Sequence, residues 1–525
     1  MEHLKTAFFV SRANGLSAEH MVAAARELDE FYTDGVIIPA SLRFGAGGVV
    51  ALAEAKGRDV LVAACLEGQV PSWFRGFSGS ASHGRGLAVT TAQADFGNIQ
   101  ALWTALPQTK PVPLGLTPSF GFGDRIGLAT PGHVRAMQAE GQGMQPIFSQ
   151  QSIREMERTG RSPEQVMTDA VCGALRAGWR TAVGADADHL KTVEHVDATA
   201  KAGFTFFTID PSDHVDQQAD GYSPSQVEER FQALLADKVA GADELAGLYA
   251  GKRFVLSGAD ANPVLFDATT LKRAAVKYGR ALAHIDVMAE HIARVAPGGF
   301  ELEISVDETD QPTSVAEHLF LALELKRRKV PVVSLAPRFI GDFEKGVDYR
   351  GDLKALAESL RRHAAVAREY GPYKLSLHSG SDKFGVYPLL ADAAKGMFHV
   401  KTAGTSYLEA LRAVCRLAPD LFLRIAEFSR DRFDTDKATY HISAALDQVP
   451  PPANLAPADR ETVYLDQDPG RQILHVTFGS VLNAAGPDGR SLFRDDLLAL
   501  LLAQRQVHEE VLARHLGRHL RQLKA

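Results

Sequence analysis

The sequence predicts an α/β protein built around a (β/α)8 barrel of the TIM type. Between residues 112 and 420, short apolar segments alternate with longer amphipathic ones, and eight strand–helix pairs fit into this stretch. Several of the short segments also alternate apolar and charged residues, which is typical of a strand with one face toward the barrel interior. A doubly wound parallel sheet is the structural alternative.

The barrel is predicted to lie between two smaller segments. Residues 1–111 form an N-terminal α/β segment and residues 112–420 form the barrel, with an insertion at 211–298. Residues 421–525 form a C-terminal extension made of a strand and a helix. The extension is expected to pack on the barrel or on a partner subunit, which makes a homo-oligomer an expectation.

The predicted barrel strands are separated by stretches long enough for a helix in most cases. They are residues 112–118, 145–149, 181–185, 204–210, 300–307, 332–336, 374–378 and 398–402. The clearest helical patterns that follow them are residues 162–178, 314–329 and 406–418.

The N-terminal segment begins with a predicted helix at 18–34, for which Ser17 is a suitable N-cap. A buried strand is predicted at 59–66. Two glycine-rich stretches, 43–48 and 76–86, lack the spacing of a nucleotide-binding motif and are expected to form loops with positive φ.

Within the C-terminal extension, a proline cluster at 450–457 predicts a linker or surface loop before the predicted strand and helix. Residues 471–482 resemble a strand in their pattern, and residues 493–523 predict one terminal helix.

The composition excludes several classes of protein. The 525 residues are 45% hydrophobic and 23% charged, as in an ordinary soluble globular protein. A net charge of −7 without a basic stripe argues against nucleic-acid binding. The three cysteines are far apart, which argues against a disulfide framework and favours a reducing compartment. Without a signal peptide or a membrane-length apolar run, the expected location is the cytoplasm.

One predicted strand carries a carboxylate that requires a partner. In residues 300–307, Leu302 and Ile304 lie on one face, and Glu303 lies on the opposite face in the middle of the strand. A charged group buried there without compensation is costly. Glu303 therefore needs a cation, a metal ion or a raised pKa.

Polar residues also cluster at the ends of other predicted strands, where barrel enzymes have their active sites. They are Asp186, Asp188 and His189 on the third strand, Asp210 on the fourth, Arg338 and Asp342 after the sixth, His378 on the seventh, and His399 and Lys401 on the eighth. Imidazoles and carboxylates without cysteine suit a divalent ion such as Zn²⁺, Mn²⁺, Co²⁺ or Ni²⁺.

Each of these residues also has a structural interpretation. Asp186 and Asp188 are suitable helix caps, and Lys401 is placed to neutralise Glu303. The sequence contains no compact metal motif, nucleophile elbow or phosphate-binding loop.

Seven segments in the same order resemble the tagaturonate epimerase family. They are GADADHLKT, TIDPSDHVD, ELEISVDETDQPTS, LAPRFIGDFEKGVDY, LSLHSGSDKFGVYP, FHVKTAGTSYLEAL and HVTFGSVL. The resemblance implies a metal-dependent epimerase that interconverts the ketouronates D-tagaturonate and D-fructuronate in hexuronate catabolism.

The resemblance also implies roles for individual residues. Asp188 resembles the base and Glu303 the proton donor, while His189 and His378 resemble metal ligands. His399 is the favoured third ligand, with Asp342 and Asp210 as its rivals.

The substrate carboxylate needs a cation, and residue type and position at a strand end indicate Arg338, with Lys401 or Lys383 as a point charge.

The carbon that such an epimerase inverts lies β to the ketone, so enolisation alone does not invert it. The open routes are retro-aldol cleavage with re-addition and direct proton transfer at that carbon. Three other functions remain open: a Schiff-base aldolase using Lys401, a metal-dependent uronate isomerase, and a non-catalytic sugar-acid binding protein.

Overall fold

An antiparallel sheet, a closed parallel barrel and a helical C-terminal region follow one another along the chain. The computed structural model describes residues 3–4, 17–30, 32, 34–45, 47–239, 241–256 and 263–524. None of the helices described there combines the length and the apolar character required to span a membrane.

The N-terminal sheet is antiparallel and carries a helix before it and a helix after it. Its strands are β1 (Val36–Ile37), β2 (Arg43–Gly45), β3 (Gly48–Ala55), β4 (Arg58–Leu66), β5 (Gly79–Gly84) and β6 (Leu87–Gln93), and its helices are α1 (Ala18–Asp29) and α2 (Phe96–Ala105). The main order is β1-β3-β4-β6-β5, and β2 also pairs with β3. The predicted Ser17 cap and the predicted strand at 59–66 are confirmed.

Eight parallel strands close the barrel. They are β7 (Ser119–Gly123), β8 (Gln145–Ser152), β9 (Gly184–Leu190), β10 (Phe206–Ile209), β11 (Glu301–Val306), β12 (Val332–Pro337), β13 (Lys374–Leu377) and β14 (Phe398–Thr402). They pair in chain order, and β14 pairs with β7 to complete the circle. This closure confirms the predicted barrel and excludes the doubly wound sheet.

Helices cover the outside of the barrel and fill the insertion between β10 and β11. They are α3 (Thr130–Glu140), α4 (Ile153–Thr159), α5 (Pro163–Arg176), α6 (Val193–Lys201), α7 (Pro224–Ala236), α8 (Leu245–Tyr249), α9 (Ala268–Val295), α10 (Val315–Arg327), α11 (Leu353–Tyr370), α12 (Tyr387–Ala394) and α13 (Thr405–Leu417). Capping boxes at Ser162 and Ser314 fix the starts of α5 and α10, because each serine accepts from a backbone N–H three residues later.

Two predicted barrel strands are placed wrongly along the sequence. The stretch 112–118 is not a strand, because Pro113 and Pro118 lack the N–H that a ladder requires, and the first barrel strand is β7. The third strand, β9, extends to Leu190 rather than ending at Ala185. Its aspartates therefore lie within the strand and face the barrel interior.

The second glycine-rich stretch is also not a plain loop, since Gly79–Gly84 is the edge strand β5. Gly79 is required there by close approach, because a Cβ at this position would lie 2.1 Å from the carbonyl oxygen of Thr91. The first stretch is not a plain loop either, because Arg43–Gly45 is β2 and Gly48 begins β3. Between these strands, Gly47 has the expected positive φ of 83°.

The C-terminal region is helical throughout its regular elements. These are α14 (Pro419–Asp436), α15 (Pro457–Glu461), α16 (Asp468–Val476), α17 (Phe478–Asn483), α18 (Arg494–Ala503) and α19 (Arg505–Gln522). The predicted strand at 471–482 is therefore wrong, since its apolar residues fit a buried helix as well as a strand. The predicted terminal helix is divided into α18 and α19. Leu512, Leu516 and Leu520 of α19 share one core with Phe120 of β7.

Candidate active site

A lysine in the barrel interior holds three carboxylates together. The ammonium group of Lys401 on β14 lies 2.7 Å from Asp186 Oδ2, 2.7 Å from Asp188 Oδ1 and 2.8 Å from Glu303 Oε1. It also donates to Thr208 Oγ1 at 2.6 Å. We call Lys401, Asp186, Asp188 and Glu303 the Lys401 centre. Lys401 therefore neutralises Glu303, as one interpretation of the sequence anticipated.

The contacts of the Lys401 centre fix its charge state. Burial raises the pKa of Glu303, but Lys401 and His378 outweigh burial and hold it well below the usual value. Burial also raises the pKa of Asp188, but His189 and Lys401 lower it by more, so it lies below its usual value. For Lys401, burial lowers the pKa and the three carboxylates raise it above its ordinary value. The carboxylates of Asp188 and Glu303 are therefore ionised at neutral pH, and Lys401 is protonated.

Two histidines lie beside the Lys401 centre, with ring centroids 5.1 Å apart. Nδ1 of His189 lies 3.0 Å from Asp210 Oδ2, and Nδ1 of His378 lies 3.3 Å from Asp307 Oδ1. Nε2 of His378 also contacts Glu303 Oε1. His189 has a φ of 52°, which is uncommon for a residue with a side chain and often marks a functional position.

Neighbouring carboxylates keep both imidazoles protonated when no other cation is present. Burial lowers the pKa of His189, but Asp188 and Asp210 raise it to about 9. Burial and Lys401 lower the pKa of His378, but Glu303 and Asp307 raise it to about 10. Positive charge is therefore favoured at both positions.

Asp188, His189 and His378 each offer one ligand atom within 4.8 Å of the others, which is close enough to hold one metal ion. His189, Asp210 and Glu308 meet the same criterion. The predicted pair of histidine ligands is thus brought together by the fold. Asp188, predicted as the base, lies close enough to be a ligand as well.

The structure does not bring His399 to this pair. Its Nδ1 lies 2.9 Å from Ser119 Oγ, and its Nε2 lies 3.9 Å from Asp186 Oδ2. Across the β13–β14 ladder, His399 is level with Ser376, which is two residues before His378. His399 therefore lies one layer deeper in the barrel. Among the rivals, Asp342 is exposed near His441, whereas Asp210 supports His189.

The predicted cations have different environments. Arg338 contacts the carbonyl oxygen of Thr309 and lines a cavity of 260 Å³ that also contains Asp307 and His378. The ammonium group of Lys383 donates to the backbone carbonyls of Glu344, Val347 and Ser381, so its donors are occupied within the protein.

A second, smaller cavity of 50 Å³ reaches the Lys401 centre itself. Asp188, His189, His378 and Lys401 line it. The two cavities share four lining residues, which are Arg154, Lys345, His378 and Tyr440. Together they form one cleft from the surface to the Lys401 centre.

Two cations in this cleft, Lys345 and Arg154, were not predicted from the sequence. Lys345 donates to Ser379 Oγ at 3.0 Å, and Arg154 pairs with Glu308 at 3.1 Å. Arg154 lies in α4, which directly follows β8, and Lys345 lies in the loop after β12. Their position after a strand end is therefore the sequence feature that could have identified them. Lys345 forms no ion pair within the described residues, which leaves its charge available.

Comparison with known proteins identifies the family of the chain. A family model described as tagaturonate epimerase matches residues 41–523. The tagaturonate/fructuronate epimerase of Thermotoga maritima is 41% identical over 435 residues, which cover 83% of this chain and 86% of that protein.

Solved structures of one relative share the whole fold. The native crystal structure of the fructuronate-tagaturonate epimerase from Cohnella laeviribosi has a TM-score of 0.86, and its two-glycerol complex has a TM-score of 0.87. Both are 34% identical in sequence, and the matches cover 96% of this chain and 99% of theirs. The chain therefore belongs to the tagaturonate epimerase family and is an isomerase of the epimerase type.

Proposed function

We propose that the protein interconverts D-tagaturonate and D-fructuronate by inverting the hydroxyl-bearing carbon β to the ketone. The observation that carries the proposal is the pair Asp188 and Glu303, two ionised carboxylates held on one ammonium group beside a histidine pair at the bottom of a cleft. The 41% identical relative carries the name of this reaction.

A divalent metal ion fits the donor atoms that are present. His189, His378 and Asp188 would hold it, because two imidazoles and a carboxylate suit Zn²⁺, Mn²⁺, Co²⁺ or Ni²⁺. Asp210 occupies Nδ1 of His189 and so leaves Nε2 for a ligand bond, which is the usual outer-sphere arrangement. When bound, such an ion supplies Lewis acidity toward the substrate ketone.

The protein's own carboxylates supply the proton transfers. In the retro-aldol route, one carboxylate removes the proton from the β-hydroxyl, and the bond between the α and β carbons breaks. The aldehyde then turns and re-adds through its other face, and a second group handles the proton there. Asp188 and Glu303 come from different strands and so suit the two faces.

Glu303 is ionised, so it accepts a proton before it donates one. Because the reaction is reversible, the group that accepts in one direction donates in the other. We therefore propose that Glu303 acts as the proton donor in one direction of the reaction and as the acceptor in the other.

The substrate carboxylate is best matched by Lys345 and Arg154, with Arg338 further out in the same cleft. We expect Lys345→Met to raise KM for the uronate about tenfold or more with a smaller change in kcat, since it removes one ionic contact with the ground state. Steady-state kinetics would check this, and Lys524→Met is a matched control, because Lys524 pairs with Glu140 on the surface.

A Schiff-base aldolase is disfavoured. An amine must be unprotonated to attack a ketone, but three carboxylates hold Lys401 in its charged form. For the cellular setting we propose the cytoplasm, because Cys65, Cys172 and Cys415 are all free thiols.

The decisive experiment incubates the metal-loaded protein with fructuronate and follows tagaturonate by NMR in deuterated water. Formation of tagaturonate supports the proposal, and failure to form it with any of Zn²⁺, Mn²⁺, Co²⁺ or Ni²⁺ overturns it. Deuterium at the inverted carbon indicates proton transfer at carbon, and its absence indicates bond cleavage and re-formation.

A further inference from the structure

A separate cavity, which is not part of the active-site cleft, lies far from the Lys401 centre, between the N-terminal sheet and the barrel. It has a volume of 360 Å³ and is lined by Arg43 and Phe44 of β2 and by Gly184 at the start of β9. Asp188 lies four residues further along β9, roughly 13 Å away at the usual rise per residue. We call this space the Arg43 cavity. It opens at the end of the barrel opposite the active-site cleft.

Two guanidinium groups line the Arg43 cavity without a carboxylate partner among the described residues. Arg43 is only 4% exposed. It donates to the carbonyl oxygens of Ala40 at 2.8 Å, Leu42 at 3.0 Å and Trp179 at 2.6 Å. Arg180, the second one, makes a long contact of 3.4 Å with the carbonyl of Leu42. Arg180 is exposed at the cavity, whereas Arg43 is buried. A buried cation usually has a paired anion, so the environment of Arg43 is unusual.

The electrostatic consequence is visible in Arg43. Burial, together with repulsion from Arg180, lowers the pKa of Arg43 to about 9. An anion between the two groups would relieve both the burial and the repulsion.

Unused donors accompany this charge. A guanidinium has five N–H groups, and the contacts of Arg43 use three of them. The indole Nε1 of Trp179 is buried and has no hydrogen-bond partner within the described residues. The cavity therefore has donors on Arg43 and Trp179 that the protein does not use, and an oxyanion would complement them.

One part of the wall is apolar and aromatic, since Phe44, Phe148, Trp179 and Val183 line the cavity. Polar side chains complete the lining, and they are Gln108, Thr109, Ser149 and Thr181. The volume of the cavity is within the range of sites for small molecules.

We propose that the Arg43 cavity is a binding site for an amphipathic anion, with a carboxylate or phosphate between Arg43 and Arg180 and an apolar, flat body against Phe44, Phe148 and Trp179. This ligand class differs from the ketouronate of the cleft, so the proposal does not depend on the reaction. The alternative is that Arg43 only ties β2 to the loop that contains Trp179.

The test is isothermal titration calorimetry of the full chain with three probes of one shape: 2-naphthoate, 2-naphthyl phosphate and the uncharged 2-naphthylmethanol. We expect at least one anion to bind at least tenfold more tightly than the alcohol. Tighter binding of the phosphate identifies phosphate esters as the class, and tighter binding of the naphthoate identifies carboxylic acids. Equal binding of the alcohol, or no anion binding at millimolar concentration, overturns the proposal.

Variants locate the site. Arg180→Gln is expected to weaken anion binding at least tenfold, and Arg180→Lys is expected to weaken it less because the charge remains. Arg85→Gln is the matched control, since Arg85 is an exposed arginine on the same N-terminal sheet and pairs with Glu30. Unchanged binding in a folded Arg180→Gln variant, or displacement of the probe by a uronate, overturns the assignment to this cavity.

Discussion

Two regions of the molecule bring one aspartate and two histidines within 4.8 Å, and they differ in how their atoms are used. One is the set Asp188, His189 and His378 at the bottom of the cleft. The other, which we call the Asp382 cluster, consists of Asp382 after β13 with His515 and His519 of α19. The same residue types therefore occur in both places.

The Asp382 cluster is already satisfied by the protein. Asp382 lies 2.6 Å from His515 Nε2 and 2.9 Å from the guanidinium of Arg471. Its backbone N–H donates to Nε2 of His519 at 3.1 Å. A metal ion there would have to displace a guanidinium and a hydrogen bond. The cluster is therefore a clamp that fastens α19 to the loop after His378.

In the active-site set, both ring nitrogens of His378 contact carboxylates, but His189 and Asp188 each keep one ligand atom free of such contacts. Nε2 of His189 is 3.9 Å from Asp188 Oδ2, beyond hydrogen-bonding distance, and both residues line a cavity. The second carboxylate oxygen of Glu303, Oε2, is buried without a hydrogen-bond partner within the described residues. The comparison indicates that the availability of ligand atoms, and not the types of residue, distinguishes the proposed metal site from a structural cluster.

The largest effect is expected from removing the central cation of each region. Lys401→Met removes the ammonium group that three buried carboxylates share, and it should lower the free energy of unfolding by about 3–5 kcal/mol and abolish turnover. Arg471→Met should cost comparable stability but keep turnover within about tenfold when folded. Chemical denaturation and kinetics at a temperature where both variants fold would check this. Equal loss of turnover in both would remove the distinction.

The next effect separates the histidines. His378→Gln should lower turnover by roughly 10³-fold and abolish metal binding, because it removes a proposed metal ligand while the clamp stays intact. His515→Gln should keep metal binding and cost about 1–3 kcal/mol of stability, since it weakens the contacts of buried Asp382. Metal analysis of both purified variants, with their melting curves, tests the pair. Metal loss in His515→Gln would contradict the assignment.

A smaller effect concerns pH and metal affinity. With pKa values of about 9 for His189 and about 10 for His378, protons compete with the ion. Since a metal binds the neutral imidazole, affinity should rise with pH, about tenfold per pH unit for each imidazole that loses a proton. Titration calorimetry with Zn²⁺ or Mn²⁺ at three pH values below 9 would measure it. An affinity independent of pH would refute this competition.

The smallest effect concerns how the free energy of unfolding changes with pH, because the two regions are expected to change it in opposite directions. Burial lowers the pKa of His519 to about 3, although Asp382 opposes this. The folded state therefore keeps His519 neutral, and its contribution is lost as pH falls from about 6.5 toward 3. His378 in the metal-free protein has a raised pKa of about 10, so its contribution is lost as pH rises from 6.5 toward 10.

Each contribution has a slope of up to about 1.4 kcal/mol per pH unit. His519→Gln should reduce the acid-side slope by up to this amount, and His378→Gln should reduce the alkaline one likewise. Denaturation midpoints between pH 4 and pH 9 would show both, and slopes of the same sign would contradict the assignment.

The sequence predicted the barrel, its insertion and the residues that line its mouth because periodicity reveals which face of a strand is polar. Periodicity could not reveal how deep in the barrel each of these residues lies. His399 and His378 have equivalent patterns, yet the register of β13 against β14 places them in different layers. Two residues along a strand correspond to roughly 6.6 Å, which is too far for a shared ligand sphere.

Contacts between distant segments were also beyond the sequence patterns. The clamp joins Asp382 to residues more than 130 positions later, and no local period encodes this pairing. The extension of β9 through Asp186 and Asp188 was missed for a related reason. Aspartates disfavour a buried strand unless a cation faces them, and Lys401 comes from the last strand of the barrel.

The clamp between Asp382 and α19 forms late during synthesis of the chain. All eight barrel strands have been synthesised once Thr402 is added, but α19 begins only at Arg505, 103 residues later. At ribosomal rates of about 5–20 residues per second, this interval lasts roughly 5–20 s. During it, the loop after His378 lacks its helical partner. A barrel that can already close must wait for the last helix before the loop after His378 is fastened.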